Sequence, residues 1–181
     1  MEYKLKNGKT VNIRRTEISD AEALIGIIAR TDRETPFLAR NPGEFDVTAE
    51  KEQSIIESVL SDPDSEWFMA EYEGKAVGQC GVNLVSRRQR YRHRAEVAFR
   101  ILKDYCGIGI GGKMMEECLN WCREKGVRQV ELDVVAGNEA ALKMYKGFGF
   151  EITGTTPRAL CYPDGTYADE YKMVKYLDGK K

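Results

Sequence analysis

The chain has 181 residues, a formal net charge of −1, and 31% charged and 42% hydrophobic side chains. That length suits one domain with a substantial core, and the charge balance excludes a whole-surface field for nucleic acid or membrane. No apolar run has the length of a membrane helix, and residues 1–6 lack a signal-peptide core. The 5 cysteines contain no C-x-x-C pair and His93 is the single histidine, which argues against a metal or disulfide framework and for a reducing cytoplasm.

Residues 10–16 alternate as a strand. Ser19-Asp20-Ala21-Glu22 reads as a capping box before Leu24, Ile25, Ile27 and Ile28, so a first helix runs to about Arg33. Asn41-Pro42-Gly43 is a turn. A second helix starts near Thr48, buries Ile55, Ile56, Val59 and Leu60, and stops at Asp62-Pro63. Residues 67–72 and 75–85 form a hairpin about Glu73-Gly74. An arginine-rich connection, residues 86–94, leads to a strand over 94–101.

Next comes a cluster of glycines, Gly107, Gly109, Gly111 and Gly112. The helix after it carries Met114, Met115, Cys118, Leu119 and Cys122 on one face and ends near Lys125-Gly126. Residues 130–135 read as a strand buried on both faces, 138–146 as a short helix and 148–155 as a strand. Tyr162-Pro163-Asp164-Gly165 is a turn, and 168–177 is the final strand.

Strand, glycine turn, helix is an arrangement for binding a phosphate or pyrophosphate. Glycine lets a ligand approach the main chain, and the helix start presents unpaired N–H groups with partial positive charge. The glycines do not fit a dinucleotide fingerprint: they run G-x-G-x-G-G, past the middle of the chain. Nor do they fit a Walker A loop, because Gly112-Lys113 is followed by Met114 and not by a hydroxyl residue. A glycine loop without a ligand is the remaining alternative.

A second segment runs from Asn138 through Ala141 and Tyr145 to Gly149-Phe150. With the glycine turn it resembles the GNAT superfamily of acyl-CoA-dependent N-acetyltransferases. The family pattern Arg/Gln-x-x-Gly-x-Gly/Ala falls on Cys106, Gly107, Ile108, Gly109, Ile110 and Gly111. The pattern Asn-x-x-Ala-x-x-x-Tyr followed by Gly-Phe falls on Asn138, Ala141, Tyr145, Gly149 and Phe150. The resemblance spans about residues 10–177 and is strongest in the C-terminal half. Cys106 departs from the pattern, which has Arg or Gln at that position.

The resemblance implies an α/β (α+β) fold as one domain over residues 1–181. Its mixed, mostly antiparallel central sheet is flanked by helices and splays between the strands near 96–101 and 130–135. It also implies acetyl-CoA as cosubstrate, without a metal, and direct attack by a primary amine of a small molecule or a peptide N-terminus. Tyr145 becomes the general acid for the thiolate and a cofactor contact, or else a packed aromatic. Glu96 becomes the general base acting through water, or else the ion-pair partner of Arg94 or Arg92. The backbone at Phe99 and Ile101 pairs with pantetheine. The amides of Gly107, Ile108, Gly109, Ile110, Gly111 and Gly112 cradle the pyrophosphate. Asn138 caps its helix and touches the cofactor.

For the acceptor, the resemblance draws on Glu34, Phe37, Glu44 and Asp46 in the first half and Tyr162, Tyr167 and Glu170 in the second. Such acidic and aromatic groups suit a cationic amine. No membrane partner is expected, and the family leaves room for a homodimer. Two rival readings stay open: a CoA-binding module without turnover, motivated by Cys106, and an RNA-binding protein acting through the Arg87–Arg94 hairpin. Against the latter, the run also reads as a solvated edge that discourages strand aggregation.

Overall fold

In the computed structural model, alternation along the strand Thr10–Arg15 (β2) buries Val11 and Ile13 on one face of a sheet. The model describes residues 1–179, so the last two residues of the expected domain lie outside it. The other strands are Glu2–Lys4 (β1), Ser65–Tyr72 (β3), Lys75–Leu84 (β4), Arg94–Ile101 (β5), Gln129–Val135 (β6), Glu151–Cys161 (β7) and Tyr167–Tyr176 (β8). Together they form one eight-stranded sheet in the order β1-β2-β3-β4-β5-β6-β8-β7. Every neighbouring pair is antiparallel except β5 with β6, which is parallel. The mixed, mostly antiparallel sheet expected from the sequence is therefore present.

Helices cover both faces. Ile110–Glu124 (α3) presses Met114, Met115, Cys118 and Cys122 onto Cys80, Val82, Ala95 and Val97, and this is the main core. Ala21–Glu34 (α1) and Ala49–Ser61 (α2) lie on the other face. There Leu24, Ile28 and Ile56 pack with Trp67, and Ile27 packs with Met69 and Leu102. A short helix, Glu139–Gly147 (α4), follows β6. The core carries most of the stabilisation by removing apolar area from water.

Three local expectations need correction, and one strand is new. The capping box at Ser19 and Glu22 is absent: a 3-10 turn over Ile18–Asp20 precedes α1, and the Asp20 carboxylate accepts from the Glu17 amide at 2.7 Å while Arg14 holds its other side. In α2 only Ile56 of the four apolar residues is fully buried, and Leu60 is 44% exposed. The helix touches α1 and the sheet along a narrow line, which instead buries Glu52, one turn before Ile56. The strand expected from Phe148 begins at Glu151, because the Phe148 amide closes α4 on the carbonyls of Met144 and Tyr145. It then runs past Pro157 to Cys161 with a shift of register between Thr156 and Leu160. Finally, β1 carries no sequence signal, being three residues paired to β2.

Candidate active site

The parallel pair β5–β6 opens almost as soon as it forms. Its register covers Arg94↔Gln129, Ala95↔Val130 and Glu96↔Glu131. Arg94 and Glu131 close this end with a bidentate ion pair, the second contact at 2.7 Å, and Glu131 is buried. Beyond it the strands diverge, leaving the β5 backbone from Val97 to Ile101 unpaired on the side facing β6. An unpaired strand edge is a ready partner for an extended, amide-bearing ligand. The expected splay is therefore present, bounded by a clamp.

The glycine turn lies at the open end. Gly109 is the N-cap of α3 with φ +106, a conformation that side-chain-bearing residues rarely adopt. The first amides of α3 are consequently free of intrahelical partners. Gly111 has a second role, since a Cβ there would sit 2.9 Å from the Met144 sulfur and 3.2 Å from the Ile101 Cδ1. It lets α3 pack against α4 and the end of β5. The Cys106 thiol lies 3.6 Å from the Leu102 carbonyl oxygen and 3.8 Å from that of Ile101, folded onto the end of β5.

Asn138 caps α4 by accepting from the Ala141 amide at 3.2 Å. One turn further, Tyr145 is 8% exposed and lies between Phe99 and Phe150, with ring centroids 6.2 and 6.0 Å away. Burial pushes its phenol up to about 12. Its hydroxyl has no hydrogen-bond partner among the described residues. A protonated, unengaged phenol is a competent proton donor.

Alternation places Ala95, Val97 and Phe99 toward α3, and Glu96, Ala98 and Arg100 toward α1 and α2. Glu96 is exposed and sits between Asn83 and Glu131 across the sheet. Arg94 is engaged by Glu131, so the alternative pairing of Glu96 with Arg94 does not form.

The acceptor candidates divide. The Tyr162 hydroxyl donates to the Pro36 carbonyl at 3.0 Å, joining the β7–β8 turn to the α1–α2 connection beside half-buried Phe37. Tyr167 stands apart from that contact, 48% exposed with Arg158 stacked 3.7 Å from its ring. Glu34 is committed to structure: it pairs with Arg30 and accepts from the Lys103 amide at 2.7 Å. Glu44 is bonded to Asn41 at 2.6 Å, Asp46 is exposed, and burial raises the half-buried Glu170 carboxyl above its ordinary range.

Sequence reasoning missed a group beneath these residues, made of Asp32, Arg40, Glu52 and Arg100. They come from α1, the α1–α2 connection, α2 and β5. Only the two-residue step from Glu96 through Ala98 to Arg100 could have hinted at them. In the arginine-rich connection, Arg87 pairs with Asp62 and Asp64, and Arg94 with Glu131. Arg88, Arg90 and Arg92 form no ion pair among the described residues.

An open parallel pair, a glycine-opened helix at its mouth and a buried phenol alongside define an acyl-carrier cleft of the acyltransferase type. The comparisons agree. The model of the acetyltransferase (GNAT) family matches residues 28–150. The L-amino acid N-acetyltransferase AaaT of Escherichia coli is 31% identical over 123 residues, 66% of this chain and 73% of that protein. A GNAT-family acetyltransferase from Streptococcus pneumoniae superposes with a TM-score of 0.86 at 28% identity, covering 92% of this chain and 99% of that one. The fold is shared with yncA of Salmonella typhimurium, solved with its cofactor acetyl-CoA, at a TM-score of 0.82 and 18% identity over 94% of this chain and 96% of that one. The chain belongs to the acetyltransferase (GNAT) family, whose members are acyltransferases using acetyl-CoA. Among the described residues, no helix is long and apolar enough to cross a membrane.

Proposed function

We propose that residues 1–181 form one N-acetyltransferase domain that moves the acetyl group of acetyl-CoA to a primary amine, of a small molecule or a peptide N-terminus, by direct attack. The observation that carries this reading is the opening of β5 from β6 after Glu96↔Glu131, beside Tyr145. The backbone of Phe99 and Ile101 is placed to pair with the pantetheine arm. The amides of Gly107, Ile108, Gly109, Ile110, Gly111 and Gly112 receive the pyrophosphate, and Asn138 and Tyr145 line the arm from α4. Cys106 adds no charge, so these amides and the helix dipole hold the phosphates.

In the reaction the amine nitrogen attacks the thioester carbonyl carbon and the carbon–sulfur bond breaks. Tyr145 gives its proton to the departing thiolate, and the proton lost from nitrogen passes through water to Glu96. Holding both reactants in one cleft supplies much of the acceleration by proximity. The acceptor enters from the α1–α2 side, with Phe37 and Tyr162 at its mouth and Tyr167 further out. The L-amino acid relative supports the small-molecule arm of this reading. The free thiols of Cys80, Cys106, Cys118, Cys122 and Cys161 support a cytoplasmic setting.

Calorimetry with acetyl-CoA tests the reading, using wild type and Gly109→Val, with thermal melts to confirm that the variant folds. Saturable binding that the folded variant loses supports it. Absence of binding to wild type overturns it.

A further inference from the structure

The face of β5 that looks toward α1 and α2 carries Glu96, Ala98 and Arg100 in one line. Ala98 is exposed and lies opposite Gly81 of β4. Gly81 has no room for a side chain, because a Cβ there would meet the Trp67 indole at 2.9 Å. The strip between Glu96 and Arg100 is thus a shallow floor, walled on one side by Trp67. The Cα atoms at its two ends are about 13 Å apart at the ordinary rise of a strand, and both side chains shorten that span. Such a floor holds a short molecule.

The Arg100 end is incompletely paired. Arg100 forms no ion pair among the described residues, and its buried Nη1 has no hydrogen-bond partner. Two acids lie near it. Asp32 is already paired through Oδ2 with the Nε of Arg40 at 3.1 Å, and its Oδ1 is buried without a partner. Glu52 is 2% exposed, and burial pushes its carboxyl above the ordinary range, toward the neutral form. Burial, and then repulsion from the Arg40 guanidinium, lower the Arg100 pKa. Arg40 itself is fixed by stacking 5.0 Å from the centre of the Phe45 ring, and its side chain is 34% exposed at the mouth of the group. Two guanidiniums, one with a buried N–H left without a hydrogen-bond partner and the other open to solvent, make a receptor for a carboxylate, whose two oxygens match the planar fork of arginine.

We propose that Arg100, assisted by Arg40, is the anion subsite of the acceptor cleft, and that the acceptor is a short amine bearing a carboxylate. Seated over Ala98, such a molecule directs its carboxylate to Arg100 and its amine toward Glu96 and the open edge of β5. This inference rests on the acetyltransferase reading above and narrows it. It runs against the polycationic acceptors that the acidic residues of the early helices suggest, since Glu34 and Glu44 are already occupied.

The test is release of CoA thiol from acetyl-CoA with a panel of L-amino acids, each paired with its own carboxamide, and with diamines and C-terminally amidated short peptides alongside. The best amino acid is expected to exceed its amide in kcat/KM by about tenfold or more, the worth of a charge-assisted contact. Arg100→Gln should bring that ratio toward one, and Arg100→Lys should restore part of it. Acetyl-CoA affinity in both variants should match wild type, because Arg100 faces away from the glycine turn. The proposal is overturned if amides, diamines or peptides serve as well as the acids, if no carboxylate-bearing amine is acetylated, or if Arg100→Gln impairs acetyl-CoA binding. Transfer confined to peptides or diamines would overturn it while leaving the acetyltransferase reading intact. Failure of acetyl-CoA binding in wild type would instead remove that reading.

Discussion

The rings of Phe99 and Tyr145 lie 6.2 Å apart, centroid to centroid, and are tilted by 48°. Phe99 belongs to the stretch of β5 left unpaired on its β6 side and Tyr145 to α4, so the contact fixes the phenol beside that open strand edge.

Tyr145→Phe keeps both ring contacts and deletes only the hydroxyl. The expected outcome is a fall in kcat of about 100-fold, the usual worth of a placed acid, with the Kd for acetyl-CoA unchanged. Unchanged kcat would remove Tyr145 as the donor. The same variant has a signature in alkali. Burial raises the folded-state pKa from 10.0 to about 12, so the stability this group contributes is complete below pH 10.0 and is lost as pH rises toward about 12. Urea titrations at stepped pH should show a shallower alkaline loss in Tyr145→Phe than in wild type.

Arg94→Ala leaves the Glu131 carboxylate buried without its partner. The expected loss of stability is about 2 kcal/mol, below that of a fully buried pair because Arg94 is 28% exposed. The Arg94 hydrogen bond holds the Glu131 pKa below the ordinary 4.5. The contribution of the pair is therefore present above that value and is lost as pH falls through the folded-state pKa. Chemical denaturation at neutral pH and in acid checks both statements; equal stability of wild type and variant at neutral pH would contradict them.

Gly111→Val should lower the melting temperature, because the new side chain collides with Met144 and Ile101. Met144→Ala in the same chain should recover part of the loss, giving a coupling energy of about 1 kcal/mol in a double-mutant cycle. Independent effects would mean that the helices do not meet there.

Cys106→Arg restores the cation that the family pattern places before the glycines. Acetyl-CoA should bind about three-fold tighter at low salt, with the gain fading as ionic strength rises. Weaker binding at every salt concentration would show that the thiol's seat on the Leu102 carbonyl cannot admit a longer side chain.

The local features of this site were legible in the sequence. β5 has the bounds its pattern predicts, Gly109 opens α3, and Asn138 caps α4. Each depends on a few neighbouring residues. Local pattern misled where a neighbour intervened. The strand expected over 148–155 does not stop there: a shift of register carries β7 on through Pro157, with Arg158 at φ +54. Asp20, not Ser19, organises the start of α1, because Arg14 of β2 reaches it. The group of Asp32, Arg40, Glu52 and Arg100 leaves no trace in the sequence beyond the alternation of β5, since its members meet only when α1 and α2 close over that strand. Glu34 reads as a ligand for an amine, but in the fold the Lys103 amide occupies it.

The most direct measurement is the release of CoA thiol from acetyl-CoA with and without an amine, under conditions where calorimetry has established saturation. Release that requires the amine, appears with an equal amount of acetylated product and falls sharply in Tyr145→Phe is the expected result. Saturable acetyl-CoA binding with no amine-dependent release across amino acids, diamines and peptides would contradict the assignment and leave a CoA-binding module.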